Sequence, residues 1–459
     1  MTNAATPSPT VMTPTGHARA IAILGLPLIG GHVAQFTISL TDAAMLGWYS
    51  ASALAAVTLA ASYFHAIFLF GAGFAFAVLP LVAKAAGAGD NRLARRANRM
   101  GMWLSILYGA IALPAFVWSE PILLSLGQDP QVAMDAAEYL TVMGWGIIPG
   151  LSIMVLKSTF AAQEHTKIIL ITQIATAVVN AAVNYVLIFG NFGAPELGLM
   201  GAALASLVTV SISTIILLIC SQRILPEQEL FRNFHQPDWE MFTRLLRLGV
   251  PVGLTTLAEV SLFTASALMV GWISPLALAA HGIAANLSGI TFMVHIGLSN
   301  VATIRVGNAI GRKDMFHLMR GARVLMAISL GASATTVLVF LLFPETLIGL
   351  FISPDDPDRP MILATGVSFV IVAAFFQLVD GLQSLELGLL RGMQDATVPM
   401  GVAACGYWLI GLPAGYVLAF PLGFGGVGVW YGMLIGLSAV AGALLWRFRR
   451  LTAEPHALF

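Results

Sequence analysis

The sequence predicts an all-α integral membrane protein of twelve transmembrane helices, arranged as two pseudo-twofold-related six-helix bundles. Composition, the length of the apolar runs and an internal repeat carry that expectation. Of 459 residues, 58% are hydrophobic and 10% are charged, whereas about a quarter of the residues in a soluble domain are charged. The apolar runs commonly exceed the ~20 residues a helix needs to cross a bilayer, while barrel strands would show ~10-residue alternating segments. The stretch from Leu24 to Ala61 then returns 224 positions later with fifteen of thirty-eight residues identical.

In chain order, residues 1–19 are polar and rich in Pro and Thr, with no basic region ahead of a short apolar core. They read as a disordered cytosolic tail rather than a cleaved signal. Spans follow at about residues 20–47, 53–85, 96–118, 134–157, 167–190, 197–221, 242–271, 277–309, 318–343, 361–388, 397–420 and 425–446. The polar connection 222–240 divides them six and six, giving an N-terminal lobe 20–221, a cytosolic linker 222–240, a C-terminal lobe 241–447 and a cytosolic tail 448–459.

With the N-terminus inside, the even-numbered loops and both tails hold every Lys and Arg except Arg359, as the positive-inside rule requires. Arg92, Arg95, Arg96, Arg99 and Arg312, Lys313, Arg320, Arg323 are then cytosolic anchors. A formal net charge of zero argues against a nucleic-acid partner. Trp48 and Trp272 fall at the outer ends of spans 1 and 7, where indoles favour the interface. Cys220 and Cys405 lie inside apolar segments and read as small core residues.

The repeat pairs Gly25 with Gly249, Pro27 with Pro251, Gly47 with Gly271 and Trp48 with Trp272, and holds register through Gly87/Gly311 and Asp90/Asp314. Spans 1 and 2 therefore match spans 7 and 8. Six is even, so the halves share one orientation and are related by an axis along the membrane normal, with the binding site expected between them. Pro27 and Pro251 each remove a backbone hydrogen bond inside a helix, and a bend is expected at both.

Four acids lie within apolar segments: Asp42, Glu259, Asp380 and Glu386. Glu386 is five residues from Arg391 and reads as a solvated helix end. No Lys or Arg falls in the body of a span, so the other three must find neutral donors, a proton or a bound cation. Helical rise places Glu259 ~18 Å from Arg247 and Asp380 ~16 Å from Arg391, in one layer. Phe263 and Phe376 lie one turn from these acids, either offering a ring face to a cation or simply packing. Thr255, Thr256 and Ser266 are candidate donors to Glu259.

In the N-terminal half, Gln35, Ser39 and Asp42 share one face of span 1, and Asn180 and Asn184 share one face of span 5. This set suits Na⁺ or a proton, and if Na⁺ is the ion its expected place is at Glu259 and Asp380 or at Asp42, Asn180 and Asn184. The alternative is a hydrogen-bonded patch joining two helices. In the repeat, Asp42 is matched by Ser266 and Glu259 by Gln35, while Asn180 and Asn184 fall opposite Gly411 and Gly415. The frame is duplicated and the acids are not, so the halves carry separate chemistry. His32, His65, His281 and His295 read as packing residues. A phosphate-binding loop, a metal-ligand cluster, catalytic residues and a soluble ATP-hydrolysing domain are all missing from the sequence. No enzyme and no cofactor are expected, and the energy must come from a Na⁺ or H⁺ gradient.

TDAAMLG in span 1, the segment Pro251 to Glu259, VVNAAVNYVLIFG in span 5, Gly198 with GAALAS, and FQLVDGLQSLELGLLRGMQDATVP across span 10 together resemble the multidrug and toxic compound extrusion (MATE) transporters of the MOP superfamily, NorM-like branch. The resemblance runs nearly the whole length. It implies a V-shaped pair of bundles in the bacterial inner membrane, a monomer with both termini cytosolic, and export of cationic lipophilic compounds in exchange for Na⁺ or H⁺. Asp42, Asn180 and Asn184 match that family's N-lobe cation site and Glu259 and Asp380 its C-lobe site. Asp355 and Asp356 match a loop implicated in substrate contact. In NorM-like proteins a tyrosine can stand where Phe376 and Phe292 stand, and in some archaeal relatives the Asn184 position is acidic. Two other readings are a flippase for a lipid-linked sugar, which would want a basic cavity, and an intramembrane enzyme, which would want a nucleophile and base or paired metal ligands.

Overall fold

The computed structural model describes residues 12–453 and folds them into twelve membrane-length helices. In lipid every backbone polar group must be satisfied within the chain, which makes apolar runs of this length helical. The N-terminal half holds α1 (Pro14–Tyr49), α2 (Ala51–Ala88), α3 (Asn91–Val117), α4 (Pro130–Ala162), α5 (Thr166–Phe189) and α6 (Gly198–Ile224). The C-terminal half holds α7 (Trp239–Gly271), α8 (Pro275–Gly311), α9 (Met315–Leu342), α10 (Arg359–Gly392), α11 (Thr397–Ala419) and α12 (Gly425–Ala453). One end of the bundle carries the long connection and the basic clusters and is called the basic end here; the opposite is the far end.

Several residues that the repeat preserves are helix caps. Ser50 and Ser274 each accept the backbone N–H three residues on, at 3.0 Å. Asp90 and Asp314 do the same at 2.9 Å. Each cap satisfies one of the donors orphaned at a helix start. Pro27 and Pro251 are buried, and each helix runs unbroken through its proline.

The halves meet where glycines remove side chains. A methyl group on Gly253 of α7 would lie 2.6 Å from the Phe70 carbonyl oxygen of α2, and Gly73 of α2 faces Gly249 and Gly253. The repeat-equivalent of Gly73, Gly297 of α8, lies against Ile29 of α1. Near the basic end α2 crosses α8, with a methyl on Gly307 only 2.8 Å from Ala83 Cβ and Gly311 packed on Lys84 and Gly87. Ala83/Gly307 and Gly87/Gly311 are repeat-equivalent pairs that touch each other, which places the pseudo-twofold axis between them. One buried apolar cluster runs through the basic end and into the C-terminal half. The far end of the N-terminal half has its own cluster around Leu46, Val57, Phe116, Leu140 and Ile188. The two bundles are thus joined at the basic end and separate at the far end.

Two expectations at the chain's ends are corrected, and the central connection gains a structure. Residues 14–19 are the first turns of α1, capped by Thr13 Oγ1 on Gly16 N at 3.1 Å, and not part of a disordered tail; residues 1–11 lie outside the described residues. Residues 448–453 continue α12. The connection 222–240 is a strap docked on α3. Arg96 reaches Asp238 at 2.5 Å and Glu240 at 2.7 Å, Arg95 reaches Glu229 at 3.0 Å, and Trp103 Nε1 donates to the Phe234 carbonyl at 2.8 Å. The start of α1 is held in a related way. Arg320, the repeat-equivalent of Arg96, donates to the Met12 carbonyl at 3.1 Å, and Arg305 of α8 donates to His17 Nδ1 at 2.7 Å and His317 Nε2 at 3.0 Å. The leading segment of each half is therefore fastened to the other half. Arg305, 8% exposed within α8, also corrects the expectation that no cation lies inside a span; Lys157 within α4 is another.

Candidate functional site

The N-terminal constellation closes between α1 and α5. Both helices present their polar residues one or two turns apart, and the crossing brings the Asn184 amide to Asp42 Oδ1 at 2.5 Å and to Asn180 Oδ1 at 3.1 Å. Asn180 and Asn184 are buried, and Asn184 Oδ1 finds no partner. Turning that amide over would exchange donor for acceptor and offer the site a further oxygen. Gln35 and Ser39 do not join it. Gln35 accepts from Gln173 of α5 at 2.7 Å, about two turns nearer the basic end, and Ser39 is exposed. Gln173 is an addition to the expected set, legible in its sharing one helix face with Asn180 and Asn184 at i, i+7, i+11.

The C-terminal constellation spans α7, α10 and α11. Glu259 Oε1 and Asp380 Oδ1 are both buried without a hydrogen-bond partner. The two carboxylates lie close enough for their charges to interact. Thr255 and Thr256 do not serve them, because their hydroxyls donate to the Pro251 and Val252 carbonyls of their own helix at 2.8 and 3.1 Å. Ser266 Oγ is buried and unpaired. Phe263 and Phe376 meet edge to face at 5.8 Å, and Phe376 meets Trp430 of α12 at 5.8 Å and 88°. Such contacts fix the rings against each other.

Two features of this region were not legible. A π-helical turn at Cys405–Gly411 within α11 brings Tyr407 into the core, where it accepts from the Gln383 amide. Turns of that type often accompany functional sites. The Tyr407 phenol, fully buried near Glu259 and Asp380, supplies a hydroxyl in a half where Phe376 and Phe292 have none. Glu386 is 2% exposed with Oε2 unpaired, which overturns its reading as a solvated helix end. It faces the helix bundle rather than the basic surface.

Of the remaining candidates, Phe292 is half-buried on α8. Asp355 and Asp356 lie in the loop before α10, where Asp356 accepts the Asp358 N–H at 2.9 Å in a local turn. The structure brings neither carboxylate to the buried acids. His32 accepts from the Asn300 amide at 3.1 Å and His65 bonds the Ala61 carbonyl at 2.8 Å. His281 packs on Trp430 at 5.5 Å. Among the described residues no three His, Cys, Asp or Glu side chains form a metal cluster.

With this geometry in view, the MatE family profile matches residues 27–186 and 251–417, one block in each half. A probable multidrug resistance protein NorM of Rhizobium meliloti is 45% identical over 447 residues, covering 96% of each chain. One of the same description from Agrobacterium fabrum is 43% identical, covering 94% of this chain and 93% of the other. Among solved structures, an outward-facing multidrug resistance MATE family transporter of the MOP superfamily superposes with a TM-score of 0.87 at 18% identity, covering 96% of this chain and 97% of the other. A eukaryotic MATE transporter superposes at 0.85 over 97% of this chain and 100% of its own.

Proposed function

Because the chain belongs to the MatE family and is a multidrug efflux transporter rather than an enzyme, we propose that it works as an antiporter, exporting cationic lipophilic compounds in exchange for Na⁺ or H⁺. The observation that carries the coupling is the pair of unpartnered carboxylate oxygens, Glu259 Oε1 and Asp380 Oδ1, in the C-terminal half. A buried carboxylate without a donor is costly, and a cation or a proton removes that cost. Asp42, held by Asn184, gives the N-terminal half a second, chemically different station.

The cycle follows from where the halves touch. With the basic end cytosolic, the joined ends face the cytosol and the separated ends face outward. An ion arriving from outside reaches the acids, the substrate leaves to the same side, and the emptied protein reopens inward. An ion shifts that equilibrium only by its differential affinity for the two states. Breaking the glycine crossing of α2 and α8 and releasing the two straps is the conformational work it must drive.

The test is efflux of a fluorescent cation from proteoliposomes under a Na⁺ gradient alone and then a pH gradient alone. Efflux driven by one of them supports antiport. Efflux driven by neither, with ATP also without effect, refutes it.

A further inference from the structure

Buried side-chain atoms without partners are concentrated around α10. Glu259 Oε1, Gln377 Oε1, Asp380 Oδ1, Gln383 Oε1 and Glu386 Oε2 are all shielded from solvent, and none accepts a hydrogen bond. Every one of them is an acceptor. The amides of Gln377 and Gln383 spend their N–H groups elsewhere, on the Ser288 carbonyl at 3.2 Å and on Tyr407. Unpaired donor-capable atoms nearby, Ser288 Oγ, His295 Nδ1 and Trp430 Nε1, belong to neighbouring helices, whereas the unpaired atoms of α10 itself are all acceptors, open to a proton or a cation.

The run has a direction. Asp380, Gln383 and Glu386 step along α10 at three-residue intervals, so Glu386 lies ~9 Å nearer the basic end than Asp380. Gln383, fully buried, stands between them, and it holds the phenol that the π-helical turn of α11 inserts at that level. Toward the basic end Arg391 follows on the same helix, and Arg449 of α12 lies close enough to act on the Glu386 charge. Glu386 is thus a carboxylate enclosed by protein on the path from the ion site to the basic end, with no ion pair to explain it among the described residues.

We propose that Glu386 is a second proton-binding carboxylate of the C-terminal half, which takes the proton leaving Asp380 and passes it to the basic end. In that step the O–H bond of the Asp380 carboxylic acid breaks and an O–H bond forms at Glu386 Oε2, leaving one carboxylate and one carboxylic acid as before. The Tyr407 hydroxyl is the buried group at the intervening level. Glu386 then gives the proton to water at the basic end and returns to its ionised form. The inference rests on the antiport reading with H⁺ as the coupling ion.

The test uses the full chain in proteoliposomes with ethidium, a fluorescent lipophilic cation. Glu386→Gln should slow pH-gradient-driven efflux at least tenfold while leaving ethidium exchange at equal pH within twofold of the parent, and Glu386→Asp should restore much of the driven rate. Driven efflux at the parent rate in Glu386→Gln overturns the proposal, as does an equal fall in both readouts, which marks a structural role. Should Glu386→Gln not assemble, infrared difference spectra of Glu259→Gln decide: with that other buried glutamate removed, a carboxylic-acid band moved by carbon-13 glutamate must change on substrate binding, and its absence overturns the relay. A parent driven by Na⁺ alone removes the relay but leaves antiport standing; a parent driven by neither gradient removes antiport itself.

Discussion

The amide of Asn184 donates to Asp42 at 2.5 Å, joining the fifth helix to the first through a single carboxylate oxygen. A hydrogen bond to a charged group is worth about 1.5–3 kcal/mol, so Asn184→Ala should change the apparent affinity for the coupling ion by roughly tenfold or more. The direction identifies the ion. A proton binds more tightly once the donor that favours the ionised carboxylate is gone, whereas Na⁺ binds more weakly once an oxygen ligand is lost. Half-saturating ion concentrations for efflux read this directly; no change in either direction would mean that the amide is only glue between helices.

Gly253 offers a packing test. Its Cα faces the Phe70 carbonyl so closely that an added methyl must displace backbone. Gly253→Ala should cost about 1–3 kcal/mol, in the range for overpacking. The same change at Gly282 of α8, which has nothing within 4 Å, is the neutral control. Thermal melting in detergent compares them, and equal melting temperatures would contradict the close crossing of α2 and α7.

The strap has an acid limit. The Arg96 hydrogen bond holds the Asp238 carboxyl below its ordinary value. A carboxyl depressed in the folded state contributes its stability above the unfolded value, roughly pH 4, and loses it as pH falls through the folded one. Asp238→Asn keeps the Oδ1 cap on Met241 N, seen at 3.1 Å, and removes the charge together with the Oδ2 acceptor of the Arg96 Nε hydrogen bond. The expected loss is about 1 kcal/mol at neutral pH, the upper range for partly exposed pairs, with the gap between parent and variant closing as pH falls through the depressed folded-state value of the carboxyl. A difference that persists in acid would place the effect elsewhere.

Arg305 fastens the start of α1 to α8 and α9 through His17 and His317. Replacing it with Met should free that segment. Proteolysis near Met12 should then quicken about tenfold, following the loss of roughly 1.5 kcal/mol or more of charged hydrogen bonding. An unchanged cleavage rate would show that the arginine is not what pins it.

Much of the frame was legible, and the reasons are physical. Spans show themselves because lipid demands long apolar helices, and the repeat exposed Ser50/Ser274 and Asp90/Asp314, which are caps. Asp42, Asn180 and Asn184 were legible because helical spacing alone aligns them. Glu259 and Asp380 stood out as acids without cations. Tyr407 was hidden because a π-helical turn shifts every following residue off the 3.6-residue register. Glu386 was misread because distance from a helix end does not say which face a neighbouring helix covers. Ser39 and Thr255 were misassigned for the same reason, since sharing a face does not ensure sharing a partner.

The account's central claim is that Asp42, Glu259 and Asp380 are where the driving ion acts. The direct measurement is gradient-driven efflux of a fluorescent cation from proteoliposomes holding the triple variant Asp42→Asn, Glu259→Gln and Asp380→Asn, with folding checked by gel filtration. The account predicts that the gradient no longer drives efflux in the folded variant; efflux at the parent rate would contradict it.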